Sequence, residues 1–73
     1  MNTQQMELSN IGAIIRQARL DKGMTEEELA AKSGTTKTMI NKIETKAGSV
    51  KISAIRNIIE NGLGGRMELA VQV

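Results

Sequence analysis

The sequence predicts a mainly α fold of four or five short helices, followed by a short C-terminal β-strand. Three observations carry this. Apolar residues recur three or four positions apart in segments between Ile11 and Gly62. Capping residues and glycines bound those segments. The last eight residues switch to strict alternation, which is a strand pattern. The 73 residues make one small domain. The expected organisation is a loose arm over 1–9, a helical domain over 10–63 and a strand over 64–73. A core of this size is marginal, so support from a second subunit is expected.

Met1 to Leu8 is polar without a clear period, although Met6 and Leu8 are placed to pack on the first helix. Ser9 or Asn10 is the expected cap of a helix starting at Ile11. Ile11, Ile14, Ile15 and Ala18 fall at helical spacing, and Gly23 is the stop. Thr25 with Glu28 forms a capping box ahead of a short second helix carrying Leu29, Ala30 and Ala31, closed by Gly34. Thr35 or Thr36 caps a third helix from Lys37 to about Thr45, with Ile40 and Ile43 inward. Lys46 to Ser49 reads as a loop. Ser53 is the expected cap of a fourth helix, with Ile52 as a staple residue before it. That helix carries Ile55, Ile58 and Ile59 and ends near Asn61 and Gly62. Beyond Gly65, Met67, Leu69, Val71 and Val73 alternate with Arg66, Glu68, Ala70 and Gln72.

Composition excludes several functions. There is no cysteine, so disulfides, thiolate metal sites and thiol catalysis are out. There is no histidine, which removes the usual general base and metal ligand. Only acids and lysines remain for acid–base work, so neither an enzyme nor a metal or other cofactor is expected. The absence of aromatic residues disfavours binding of single strands by base stacking and leaves the grooves of a duplex open. The net charge is +2, unevenly spread. Glu26, Glu27 and Glu28 form a block suited to a helix N-terminus, and Lys37, Lys42, Lys46 and Lys51 follow with only Glu44 among them. No apolar run is long enough for a membrane span, and no signal-peptide pattern opens the chain, so a cytoplasmic location is expected.

The second and third helices flank a tight turn at Gly34. Glycine supplies the left-handed backbone that lets one helix stop and the next start at a steep angle. Ala30 is small where the two would cross. Such a helix-turn-helix lays its second helix in the major groove. On the third helix, Thr38, Asn41, Lys42 and Thr45 project away from Ile40 and Ile43, and Lys37 stands at the leading end. Lysine can donate to guanine, asparagine can pair with adenine, and a threonine methyl can touch thymine. The bland reading of the same face is a solvated helix surface.

The string Ile14-Ile15-Arg16, Arg19, Gly23-Met24-Thr25-x-x-Glu28-Leu29-Ala30, Gly34-Thr35-Thr36-Lys37, Ile40-Asn41-Lys42-Ile43-Glu44 resembles the Cro/C1-type (XRE) helix-turn-helix family. The resemblance covers about residues 11 to 63 and implies a lambda repressor-like fold whose second and third helices bind DNA. It implies base reading by Lys37, Thr38 and Lys42, with Asn41 a further candidate. Thr36, Thr45 and Lys46 are candidates for phosphate contact, where cations add affinity without specificity. Arg19 and Glu44 resemble the family's internal ion pair. Three positions depart from the pattern. Glu26 stands where a phosphate-touching glutamine is usual, Ser33 where an apolar residue is usual, and Thr35 replaces a common valine.

The function expected is a sequence-specific transcriptional regulator of duplex DNA. It would act as a repressor binding a palindromic operator as a homodimer, with Met67, Leu69, Val71 and Val73 pairing across the twofold axis. The rivals for that tail are a frayed end or a strand added to another protein. The C-terminal strand is similar in kind to that of HipB-type antitoxins. The alternative function is therefore an antitoxin that binds a toxin protein and autoregulates its operon. A third reading keeps the fold as a protein-interaction module without DNA binding.

Overall fold

The structure, a computed structural model, describes residues 8–66. Four α-helices follow one another: α1 (Leu8–Asp21), α2 (Glu26–Ser33), α3 (Lys37–Lys46) and α4 (Ile52–Asn57). A 3₁₀ turn, Ala47–Ser49, links α3 to α4, and a wider π turn, Ile58–Gly62, continues α4. The expected C-terminal strand and its residues Met67, Leu69, Val71 and Val73 lie outside the described residues, as does most of the N-terminal arm.

Local signals place most boundaries. The Thr25 side chain accepts from the Glu28 N–H at 3.0 Å, while the Glu28 carboxylate accepts from the Thr25 N–H at 2.8 Å. The capping box is therefore complete at the start of α2. Thr36, not Thr35, caps α3, its hydroxyl accepting from the Met39 N–H at 3.1 Å. Gly34 takes the left-handed conformation (φ 69) and Thr35 N–H returns to the Ala30 carbonyl at 2.9 Å. These satisfy the last carbonyls of α2 and turn the chain sharply into α3.

Two helix starts differ from expectation. α1 begins at Leu8 rather than Ile11, so the arm is shorter than residues 1–9. No breaker precedes Ile11, and serine and asparagine inside a helix cost only tenths of a kcal/mol, roughly, so the ladder extends through them. α4 begins at Ile52, which puts Ser53 inside its first turn and Ile52 in the helix rather than before it. Lys51 is the cap residue and makes no side-chain bond. Its extended backbone already presents a carbonyl to the N–H groups of Ala54 and Ile55, at 3.0 and 3.2 Å.

Ile15, Leu29, Ala30, Ile40, Ile43, Ala47, Ile55 and Ile58 form one buried cluster drawn from every helix. Fully burying a side chain of the Ile or Leu class contributes roughly 1.5–3 kcal/mol. Ile14, expected with the apolar stripe of α1, is instead 62% exposed. Gly12, Ile15 and Arg19 form the stripe that meets α3, and Ile14 lies one residue, about 100°, away from Ile15. Gly12 allows this contact, because a Cβ there would stand 2.6 Å from the Ile43 and Glu44 carbonyl oxygens.

The other close approach joins α2 to the end of α4. Ser33 is buried and its hydroxyl donates to the Leu29 carbonyl at 2.8 Å. A Cβ on Gly62 would collide with the Ser33 hydroxyl and with Leu29. The polar residue at position 33 is thus satisfied internally and stays small beneath the Gly62 backbone. Asn57 reinforces the seam by donating to the Ser33 carbonyl at 2.8 Å. The chain leaves this end through Gly64 (φ 73), with Ile59 and Leu63 only partly buried.

Candidate nucleic-acid interface

α3 presents the expected face. Ile40 and Ile43 are fully buried beneath it, while Lys37, Thr38, Asn41, Lys42, Thr45 and Lys46 are all exposed. Met39 is partly buried on the flank. The four base-reading candidates therefore share one solvent-facing surface beginning at the helix N-terminus.

That surface is held rigidly from below. Arg19 on α1 donates to Glu44 on α3 through Nε at 2.7 Å and through Nη2 at 3.2 Å, a two-pronged pair with both side chains buried. Its remaining Nη1 donates to the Met24 carbonyl at 2.9 Å, which ties in the loop before α2. The Glu44 hydrogen bond raises the guanidinium pKa above its ordinary value, against the opposing effect of burial. Arg19 and Glu44 thus fix the angle of α3 to α1 and are engaged with each other.

The phosphate candidates divide. The Thr36 hydroxyl accepts within the cap, which leaves its proton available to an outside acceptor. The Thr45 hydroxyl donates to the Asn41 carbonyl at 2.8 Å, so its proton is already engaged inside α3. Lys46 is exposed at the end of the helix.

One contact was not foreseen from the sequence. Lys37 Nζ lies 3.4 Å from the Glu27 carboxylate, across the turn between α2 and α3. The Glu27 pKa is lowered, first by a hydrogen bond from its own backbone N–H at the start of α2 and then by Lys37. Because the folded value is lowered, this group adds stability above its ordinary value of 4.5 and loses it as pH falls through the folded value. Both side chains are more than half exposed, so the pair is easily exchanged for another partner of Lys37.

Glu26 does not stand on the outer face of α3. It is half-buried and lines an open groove of about 570 Å³ with Ala13, Arg16 and Gln17 of α1 and Asn41 and Thr45 of α3, over the Arg19–Glu44 pair. Its charge is close enough to favour the Arg19 cation. Among the described residues no helix is long and apolar enough to cross a membrane.

Comparison with known proteins agrees with this geometry. The model of a family described as "Helix-turn-helix" matches residues 15–61. The restriction-modification controller protein C.Esp1396I is similar in solved structures of several forms. A single-site mutant is 40% identical, with 80% of this chain and 74% of that chain covered and a TM-score of 0.73. The wild type is 38% identical over the same shares, also with a TM-score of 0.73. A second mutant is 36% identical, covering 84% of this chain and 78% of that chain with a TM-score of 0.74. No curated protein matches. With the capped pair α2–α3, its left-handed Gly34 turn and the family match over residues 15–61, the chain belongs to the Cro/C1-type (XRE) helix-turn-helix family of DNA-binding transcriptional regulators.

Proposed function

We propose that the protein binds a palindromic duplex operator as a homodimer, reads it through the major groove with α3, and represses transcription. The observation that carries this is the exposed face of Lys37, Thr38, Asn41 and Lys42 on a helix whose opposite side is fully buried. These side chains match the donors and methyls that distinguish base edges in the major groove. The likeness to restriction-modification controller proteins favours a regulator of that kind over an antitoxin. In this reading the protein acts in the cytoplasm, without a cofactor and without catalysis.

Selection of bound duplexes from a random pool tests the reading. A palindromic consensus is expected, with affinity that falls steeply as salt rises because phosphate neutralisation releases counterions. Lys37→Ala, Thr38→Ala and Lys42→Ala should each change the preferred base at a defined position, a loss of roughly 1–3 kcal/mol for a specific lysine contact. Lys46→Ala should weaken all sequences alike. An unchanged consensus for all three α3 variants rejects this reading face.

Homodimerisation rests on the alternating residues Met67, Leu69, Val71 and Val73, and on Ile59 and Leu63, which remain partly exposed beside Gly64. A lone strand leaves its backbone groups unpaired, and pairing with its own copy around a twofold axis is the simplest remedy. Two copies of α3 about 34 Å apart would then face half-sites one helical turn apart. In sedimentation at micromolar concentration the full chain should run as a dimer and a version ending at Gly64 as a monomer. Equal dimerisation of both rules out the strand as the interface.

A further inference from the structure

We propose that Glu27 determines specificity by positioning Lys37, holding its ammonium for a guanine edge and denying it to the phosphates that every sequence offers. The inference rests on the reading of Lys37 as a base contact, given above, and deepens it. Lysine discriminates poorly by itself. Its ammonium is a point charge on a flexible stem, satisfied by a phosphate of any sequence as well as by guanine O6 and N7. Lys37 stands at the end of α3 that enters the groove first, where both are within reach of such a stem.

The three exposed lysines of α3 are not alike. Lys42 and Lys46 make no ion pair among the described residues, whereas Lys37 Nζ lies 3.4 Å from the Glu27 carboxylate. The fold sets this contact. Gly34 (φ 69) and the Thr36 cap turn the chain so that the first residue of α3 meets the second residue of α2. The lowered pKa of Glu27 keeps it ionised at neutral pH. Both side chains are more than half exposed, so the pair biases Lys37 rather than locking it. An ammonium has three donors. With one on Glu27, two remain for guanine O6 and N7. The guanine edge is uncharged, so it can share the ammonium with a carboxylate. A phosphate would bring a second anion against Glu27, and like charges repel. Rejecting the wrong acceptor in this way raises specificity without a new contact to the right one.

The test measures wild type, Glu27→Gln, Lys37→Ala and the double variant at salt between about 50 and 200 mM. The probes are the selected duplex, the same duplex with the guanine read by Lys37 replaced, and a random duplex. Glu27 is exposed and lies outside the Thr25–Glu28 box, so its variant keeps the fold, which an unfolding curve checks. Glu27→Gln should tighten binding to the random duplex and steepen its salt slope by about 0.9 for each bound protomer, as Lys37 gains a phosphate. From the higher salt to the lower, that slope is a further gain of roughly 3.5-fold per protomer. The penalty for replacing the guanine should shrink, so the ratio of selected to random affinity falls. In the Lys37→Ala background Glu27→Gln should lose its effect on guanine discrimination and most of its effect on the random duplex. Equal effects in both backgrounds would mark general charge repulsion and overturn the proposal, as would an unchanged guanine penalty in Glu27→Gln. A Lys37→Ala protein with its guanine preference intact would reject Lys37 as a base reader, and the proposal with it. A wild type that binds no duplex would reject the DNA-binding reading itself, an outcome distinct from the others.

Discussion

Glu44→Ala is expected to lower the stability of the fold by about 3–5 kcal/mol, the usual cost of removing one partner from a buried ion pair. The Arg19 guanidinium would keep its bond to the Met24 carbonyl but lose both prongs to α3. It would then sit buried as a cation without its counter-charge. A domain of this size has little more than about 5 kcal/mol in total, so the variant should be largely unfolded at ambient temperature. Denaturant titration followed by far-UV circular dichroism measures the effect. Replacing both residues with apolar ones of similar volume, as in Arg19→Met with Glu44→Leu, should recover most of the loss, because no charge is then left buried. A wild-type midpoint for Glu44→Ala would show that the pair contributes nothing to the fold.

Gly12→Val should be the second large effect, and Gly12→Ala decides its sign most sharply. Within a helix, glycine to alanine favours folding by roughly 0.8–1.0 kcal/mol. Here a Cβ would stand 2.6 Å from the carbonyl oxygens of Ile43 and Glu44 and 3.0 Å from the Glu44 carbonyl carbon. These are backbone atoms of α3 and cannot rotate aside. α1 would have to lift from α3 and draw Arg19 away from Glu44. Overpacking of this kind costs about 1–3 kcal/mol or more, which outweighs the propensity gain, and valine adds two further methyls to the collision. Gly48→Ala is the control. Its φ is not positive and a Cβ there meets nothing within 4 Å, so a neutral or slightly favourable change is expected. A Gly12→Ala protein more stable than wild type would mean that the helices separate at little cost.

Both residues show how far the sequence could be read. Arg19 and Glu44 are 25 positions apart, and no local pattern connects them. Only the likeness to a family suggested their pairing, while Gly12 gave no signal at all. A glycine within a helical pattern reads as a weak position until the neighbouring backbone is seen. Ser33 and Gly62 are similar. Position 33 looked like a polar intrusion, yet its hydroxyl is satisfied by Leu29 and its small size makes room for Gly62.

The exposed face of α3 was largely legible. Ile40 and Ile43 fix the buried side of α3, so helical geometry alone puts Thr38, Asn41 and Lys42 roughly opposite them and Lys37 at the leading end. The engagement of Lys37 by Glu27 was not legible, because it depends on how sharply α3 leaves α2. The position of Glu26 was not legible either. Only the family resemblance spoke of phosphate at this position, and no local pattern indicated its neighbours in α1 and α3.

By itself the sequence determined that there are four helical segments, the Thr25–Glu28 box and the Gly34 turn, since each acts over three to six residues, while the choice of Thr36 over Thr35 as cap and the starts of α1 and α4 came from the structure. The sequence also determined which side of α3 is polar. Tertiary structure alone decided the close contact at Gly12, the outward turn of Ile14, the Ser33–Gly62 seam and the groove that brings Arg16 beside Asn41. Hydrogen bonds and helical periodicity are short-ranged along the chain. Packing distance between helices depends on every side chain in the shared core, and no single stretch of sequence contains it.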